Sequence, residues 1–153
     1  MSQNKNVIYE MMKTFFEQNV PYAKHTGIEL LEIADGHGSA RLPERPETQN
    51  HMSTQHAGAL FTLGEAASGA ACVFLFADKI MNVKAAISDA HIRYLRAARG
   101  EIHAAGKLLQ PGDEILATFE KEGKVEYQVD VSLTDSKGRE VCQMNVHWSI
   151  KAA

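Results

Sequence analysis

Apolar and polar residues change rhythm along this chain, and the changes mark out its elements. Val7, Ile8, Met11, Met12, Phe15 and Phe16 recur at helical spacing, which predicts a first helix closed by Pro21. Such a helix caps one end of the fold or covers a tunnel, and a Met and Phe stripe of this kind ordinarily packs into a core. Two short strands are expected at about residues 28–34 and 37–42, joined at Asp35-Gly36, a hairpin dipeptide. A polar, proline-containing loop, PERPETQNHMSTQ, then leads into residues 57–77, AGALFTLGEAASGAACVFLFA. This segment is apolar nearly all round, as an enclosed helix should be.

Beyond it the pattern becomes period two. Ile102, Ala104, Gly106 and Leu108 alternate with Glu101, His103, Ala105 and Lys107; Pro111-Gly112 reads as a turn. Ile115, Ala117 and Phe119 predict a further strand, broken by Gly123. Val125, Tyr127, Val129, Val131 and Leu133 predict the next, and Asp135-Ser136-Lys137-Gly138 another turn. Cys142, Met144, Val146, Trp148 and Ile150 alternate with polar neighbours to the end. Short turns make neighbouring strands antiparallel. An antiparallel sheet with one apolar face needs a cover, and only the 57–77 helix is long and apolar enough. The expected architecture is α+β: a curled antiparallel sheet wrapped around one long helix, with an extra N-terminal helix. Residues 1–153 read as a single domain.

Composition narrows the function. Sixteen Lys and Arg stand against 19 Asp and Glu, a net charge of −3 over 153 residues, which gives no basic footprint for nucleic acid. The cysteines, Cys72 and Cys142, suit reduced core thiols better than a disulfide scaffold. The N-terminus lacks the apolar run and cleavage site of a secretory signal. Residues 57–77 are long enough to span a bilayer, but three glycines, Thr62, Ser68 and a central Glu65 make a poor membrane helix. A soluble, cytoplasmic protein with no membrane partner is expected.

Glu65 is the one charge in that apolar segment. A carboxylate is rarely buried without a partner, because leaving water costs several kcal/mol, and only Thr62 and Ser68 offer local polar company. A lone acid on a core helix is therefore a candidate functional group.

At the junction of loop and helix the chain reads Asn50-His51-Met52-Ser53-Thr54-Gln55-His56-Ala57-Gly58, then LFTLGEAASG. Here it resembles the hotdog-fold acyl-CoA thioesterases, in particular the group that includes the phenylacetate-pathway enzymes. Those proteins carry an Asn or Gln, six residues on a His-Gly-Gly, then Leu-Phe and an acid on the helix. Asn50, His56, Leu60, Phe61 and Glu65 fall at the matching positions. Asp89-Ala90-His91-Ile92-Arg93-Tyr94-Leu95-Arg96 resembles their next strand, and the likeness extends over roughly residues 28–150.

The resemblance implies a thioester hydrolase acting on acyl-CoA without a bound cofactor, assembled as a homodimer or a dimer of dimers with shared sites. It implies that the Ala57 amide, with Gly58 permitting close approach, holds the developing oxyanion at a helix N-terminus. Asn50 would hydrogen-bond the carbonyl or the attacking water, His56 belongs to the same motif, and Glu65 would act as general base or nucleophile. Arg93, Arg96 and Arg99 stand where relatives receive coenzyme A phosphates. Two positions depart from the pattern. Ala57 replaces the first glycine, and Ile87 occupies the place of a hydroxyl seven residues before Tyr94, with Ser88 one residue later. His51 and His56 lack the further ligands that a zinc site needs.

Two other readings share these residues. Hotdog 3-hydroxyacyl dehydratases pair a His with a helix acid, and His51 lies fourteen residues before Glu65. A non-catalytic acyl-CoA-binding protein would tolerate the substitution at Ala57 and the missing hydroxyl.

Overall fold

The computed structural model describes residues 2–153, with side-chain environments from residue 6; Met1, which the single-domain span includes, lies outside the described residues. Helix α1 (Ser2–Asn19) is followed by α2 (Pro21–Thr26). Pro21 thus ends one helix and opens the next, sitting in the first turn of α2 where its missing N–H is not needed. Strands β1 (Glu29–Ala34) and β2 (His37–Leu42) form the expected hairpin. Helix α3 (Ala57–Val73) runs on as a 3-10 helix, Phe74–Asn82, into β3 (Val83–Tyr94). Strand β4 (Ile102–Leu108), helix α4 (Gly112–Glu122) and strands β5 (Lys124–Asp135) and β6 (Glu140–Ala152) complete the order.

One expected strand is a helix. Residues 115–119 lie in α4, and the reason is local. Asp113 and Glu114 occupy its first turn, where they complement the helix dipole. Ile115 and Phe119, four apart, are its buried residues, and Gly123 ends it in the left-handed conformation at φ 68°. A short apolar run at 115, 117 and 119 fits period two as well as one helical face. The aromatic ring of Phe119 meets Phe76 edge-on, with centroids 5.3 Å apart.

The six strands pair antiparallel in the order β1-β2-β4-β5-β6-β3, and the sheet curls around α3 in the hotdog arrangement. The stretch Ala57–Asn82 is long and apolar enough to cross a membrane. Here it is the core helix, with Leu63, Ala67, Ser68 and Ala71 wholly buried.

Two glycines set how close this helix lies. Gly38 of β2 and Gly106 of β4 face each other across the ladder. A Cβ on Gly38 would sit 2.6 Å from the Ala67 carbonyl oxygen, and one on Gly106 would sit 2.8 Å from the same atom. Helix backbone therefore rests directly on sheet backbone, with Ala67, Ala70 and Ala71 as the helix's contribution.

Strand β3 forms one edge of the sheet, and none of its twelve residues is fully buried. Its pairing with β6 slips between Ile87 and Asp89, so Ser88 is a bulge residue. Before the bulge Val83 and Ile87 pack on the core; beyond it Ala90 and Ile92 do.

The glycine contact yields a measurable contrast. Gly38→Ala should destabilise the fold by at least about 1–3 kcal/mol, the usual range for overpacking, because only backbone stands in the way. Gly69→Ala in α3 meets nothing closer than Trp148 at 3.6 Å, and should be neutral or stabilising by up to about 1 kcal/mol through helix propensity. Chemical denaturation of both variants checks this; equal effects would refute the backbone contact.

Candidate active site

Helix α3 is buried on nearly every side, yet one stripe stays partly open: Gly58, Phe61, Glu65, Gly69 and Val73. Their spacing of three and four residues places them on one helix face, so the helix is not enclosed all round as its composition suggested. Glu65 sits half-buried at the middle of that stripe. Thr62 and Ser68 do not serve its carboxylate. The Thr62 hydroxyl donates to the Gly58 carbonyl at 2.8 Å, and the Ser68 hydroxyl to the Glu65 carbonyl at 2.7 Å. Among the described residues no ion pair or hydrogen bond reaches the Glu65 side chain, and burial pushes its pKa above that of an ordinary carboxyl.

Glu65, Gly69 and Val73 line a cavity of about 390 Å³. Its walls come from α1 and α2, from α3 and the 3-10 helix beyond it, and from β1, β3, β5 and β6. Among the described residues that line it, Glu65 is the only charged one. Trp148 forms part of the wall and anchors to the helix, its indole N–H donating to the Ser68 hydroxyl at 3.0 Å. The α1 stripe divides here: Met12 is buried in the core, while Phe15 and Phe16 also face the cavity. The first helix thus covers this space.

The N-terminus of α3 is built by the preceding loop. Gln55 is buried and ties that loop down: its amide donates to the Pro43 and Gly100 carbonyls at 3.2 and 2.9 Å, and its oxygen accepts from Thr48 at 2.9 Å. His56 is the N-cap, with Nδ1 accepting from the Gly58 N–H at 2.9 Å. That bond places the ring proton on Nε2. The capping bond takes the Gly58 N–H but leaves the Ala57 N–H without an acceptor among the described residues. Tyr94, at the end of β3, donates to the Ala57 carbonyl at 3.0 Å and pins this turn to the sheet edge.

Asn50 has a structural occupation. Its Oδ1 accepts from the Met52 and Thr54 N–H groups at 2.9 and 3.2 Å, and its Nδ2 donates to the Thr54 hydroxyl at 2.9 Å. This closes a turn in which Ser53 takes a left-handed conformation, φ 55°, costing about 1–2 kcal/mol. His51 is exposed in the same turn. Ser88, the bulge residue, donates to the His147 carbonyl at 3.4 Å.

Arg93, Arg96 and Arg99 are all exposed, and none forms an ion pair among the described residues. Arg93 projects from β3 into a shallow depression shared with Asp130 and Glu140. The Ser132 hydroxyl, and less strongly Gln143 and the charge of Arg96, hold Glu140 below the ordinary carboxylate range.

Other nucleophiles are weak here. Both cysteines are free and buried; burial pushes Cys72 up to about 12 and Cys142 up to about 11, so neither offers a thiolate near neutral pH. Among the described residues no three His, Cys, Asp or Glu side chains gather in a metal-binding group. Sequence reasoning missed Trp148, Gly69 and the α2 wall, whose roles depend on contacts between distant segments. Tyr94 stood in a quoted motif but without its contact to Ala57.

Residues 9–150 match the family described as a domain of unknown function, DUF4442, and the chain belongs to it. No curated protein matches the sequence. In structure the chain is similar to a Pseudomonas aeruginosa protein described as a probable thioesterase, with a TM-score of 0.80 and 24% identity over 95% of this chain and 96% of that one. It is also similar to a Staphylococcus aureus thioesterase, solved as a mutant, with a TM-score of 0.71 and 16% identity over 85% and 98% of the two chains. The Escherichia coli PaaI protein of the phenylacetic acid degradation operon aligns with a TM-score of 0.68 and 18% identity over 95% and 93%.

A buried, unpartnered carboxylate predicts a stability signature. Because the folded pKa of Glu65 is raised, the native state disfavours its charge. The destabilisation is absent below the unfolded carboxyl pKa, about 4.3, and complete above the raised folded value. Glu65→Gln should therefore raise the melting temperature at pH 8 more than at pH 4. An equal shift at both pH values would show that the native carboxylate carries no desolvation cost.

Proposed function

We propose that this chain, as one domain, is an acyl-CoA thioesterase that hydrolyses a thioester to a free acid and coenzyme A without a metal or cofactor. One observation carries the reading: an unpaired, half-buried carboxylate, Glu65, on the wall of an otherwise uncharged apolar cavity. Such a wall suits an acyl group, and the carboxylate suits attack on its carbonyl. The thioesterase descriptions of the structural neighbours support the same reaction class.

In this reading the thioester oxygen docks on the free Ala57 N–H, where the helix dipole stabilises developing negative charge. Asn50 retains one uncommitted amide proton to hold the carbonyl or the water, and His56 presents Nε2–H beside the same helix end. Glu65 removes a proton from water as the oxygen attacks the acyl carbon, and returns it to the departing sulfur. Alternatively Glu65 attacks directly: the acyl carbon–sulfur bond breaks, the thiolate leaves, and water opens the resulting anhydride. Arg93, Arg96 and Arg99 would receive the phosphates of coenzyme A. The 3-hydroxyacyl dehydratase reading would need His51, which stands exposed in a turn, to approach Glu65.

Ala57 and Glu65 are eight residues apart along α3, about 12 Å at 1.5 Å per residue. A glutamate side chain does not easily span that distance to a carbonyl docked on the Ala57 amide. We therefore place the amide of one chain opposite the carboxylate of another, in a homodimer or dimer of dimers with shared sites. The long, unburied edge strand β3 is a pairing surface suited to that assembly.

Glu65→Gln should keep the fold and lower kcat by about 100-fold to 10,000-fold, the usual loss of general-base help. Thiol release from acyl-CoA measures it, and near-normal turnover would remove Glu65 from the mechanism. Mixing Glu65→Gln with Ala57→Pro, which deletes the amide at a first-turn position that accepts proline, should restore activity on subunit exchange. One of two shared sites then collects both defects and the other is intact. Hybrid dimers seen by mass spectrometry but inactive would show that each chain carries a complete site.

A further inference from the structure

We propose that the substrate's acyl group is an unsubstituted apolar chain of medium length, and that Gly69 together with the α1 residue Phe16 sets its limit. This rests on the thioesterase reading and names the substrate class of that site.

Packed interiors hold few voids larger than a water molecule, so a space of about 390 Å³ is a binding site by its size. A methylene fills about as much room as a water, about 30 Å³, so the space takes about a dozen carbon-sized groups, or an acyl chain of about eight to twelve carbons allowing for imperfect packing. An acetyl or propionyl group would leave most of it empty.

The wall explains why the chain should carry no polar substituent. The Thr62 hydroxyl is committed to the Gly58 carbonyl, the Cys72 thiol to the Ser68 and Gly69 carbonyls at 3.6 and 3.3 Å, and the Trp148 N–H to Ser68. The Tyr127 hydroxyl is itself buried, with no hydrogen-bond partner among the described residues. Tyr22 carries the remaining hydroxyl on the lining and is largely exposed to solvent, so a hydroxyl or carboxylate deep in the cavity would lose water and find no uncommitted polar side chain there.

Gly69 lies one turn beyond Glu65 on the open stripe, about 6 Å along the helix. It lines the cavity, and the nearest atom to an added Cβ would be Trp148 at 3.6 Å. A larger side chain there projects into the path of the chain a turn past the reacting carbon. Phe16 narrows the same space from the α1 wall.

The test pairs hydrolysis with binding. Acyl-CoA thioesters from two to sixteen carbons are assayed for thiol release, and the matching S-alkyl-CoA thioethers, which have no carbonyl to hydrolyse, are titrated by calorimetry. The wild-type protein should favour about eight to twelve carbons in both measurements, and an ω-hydroxy chain should bind at least tenfold more weakly than its plain counterpart. Gly69→Leu should lower the decanoyl-to-butyryl ratio of kcat/KM at least tenfold. Phe16→Ala should move the optimum to longer chains, which keeps the proposal testable if the leucine variant fails to fold. A flat length profile, a preference for two to four carbons, or tighter binding of the ω-hydroxy chain would overturn the inference while thiol release still upheld the thioesterase. Thioethers that bind with the expected length profile, with no thioester cleaved, would uphold the cavity assignment and overturn the hydrolase.

Discussion

The fold depends on a contact with no side chain on one side of it. Where Gly38 and Gly106 pair across β2 and β4, the backbone of α3 at Ala67 lies on the sheet itself. That contact sets how closely the helix lies on the sheet. Leu60 and Leu63 fill the space on either flank at 3% and 0% exposure, and Trp148 reaches Ser68 from β6. With one side held so closely and the flanks filled, the remaining stripe faces α1, α2 and the sheet edge across a gap. The cavity is what lies over that stripe.

The same geometry explains the state of Glu65. Its neighbours on the helix are small or apolar, and the two nearby hydroxyls satisfy helix carbonyls instead of the carboxylate. Among the described residues nothing in the site offsets the loss of hydration, so the carboxyl is held toward its neutral form while it faces apolar space. A base raised toward the working pH accepts a proton more readily than a solvated carboxylate. The raised pKa has one cause, burial without a partner among the described residues.

Much of this was legible in the sequence. The hairpin dipeptide located β2 at its observed bounds, and alternation located β4, β5 and β6 within a few residues, because each strand has one buried and one exposed face. The oddity of Glu65 was visible because a charge in a small-residue segment violates the pattern around it. Helix α4 was not, since Ile115 and Phe119 suit either period. The cavity was hidden for a different reason: Met12, Glu65 and Ile150 share it across most of the chain length, and one sequence carries no record of such meetings. Asn50 was singled out by resemblance alone, and its hydrogen bonds to Met52 and Thr54 are a local device that spacing does not reveal.

The bulge at Ser88 acts on β3 as an insertion acts on a reading frame. Ahead of it, odd-numbered residues face the core; beyond it, the even-numbered ones do, as Ile87 and Ile92 record. Tyr94 meets Ala57, and Arg93 faces outward, only because one extra residue has shifted the phase. Deleting a single residue here would leave a more regular ladder and carry the latch on α3 to the solvent side, with the arginine turned toward the core. Length at this point of the chain is therefore under tighter constraint than the identity of Ser88 itself.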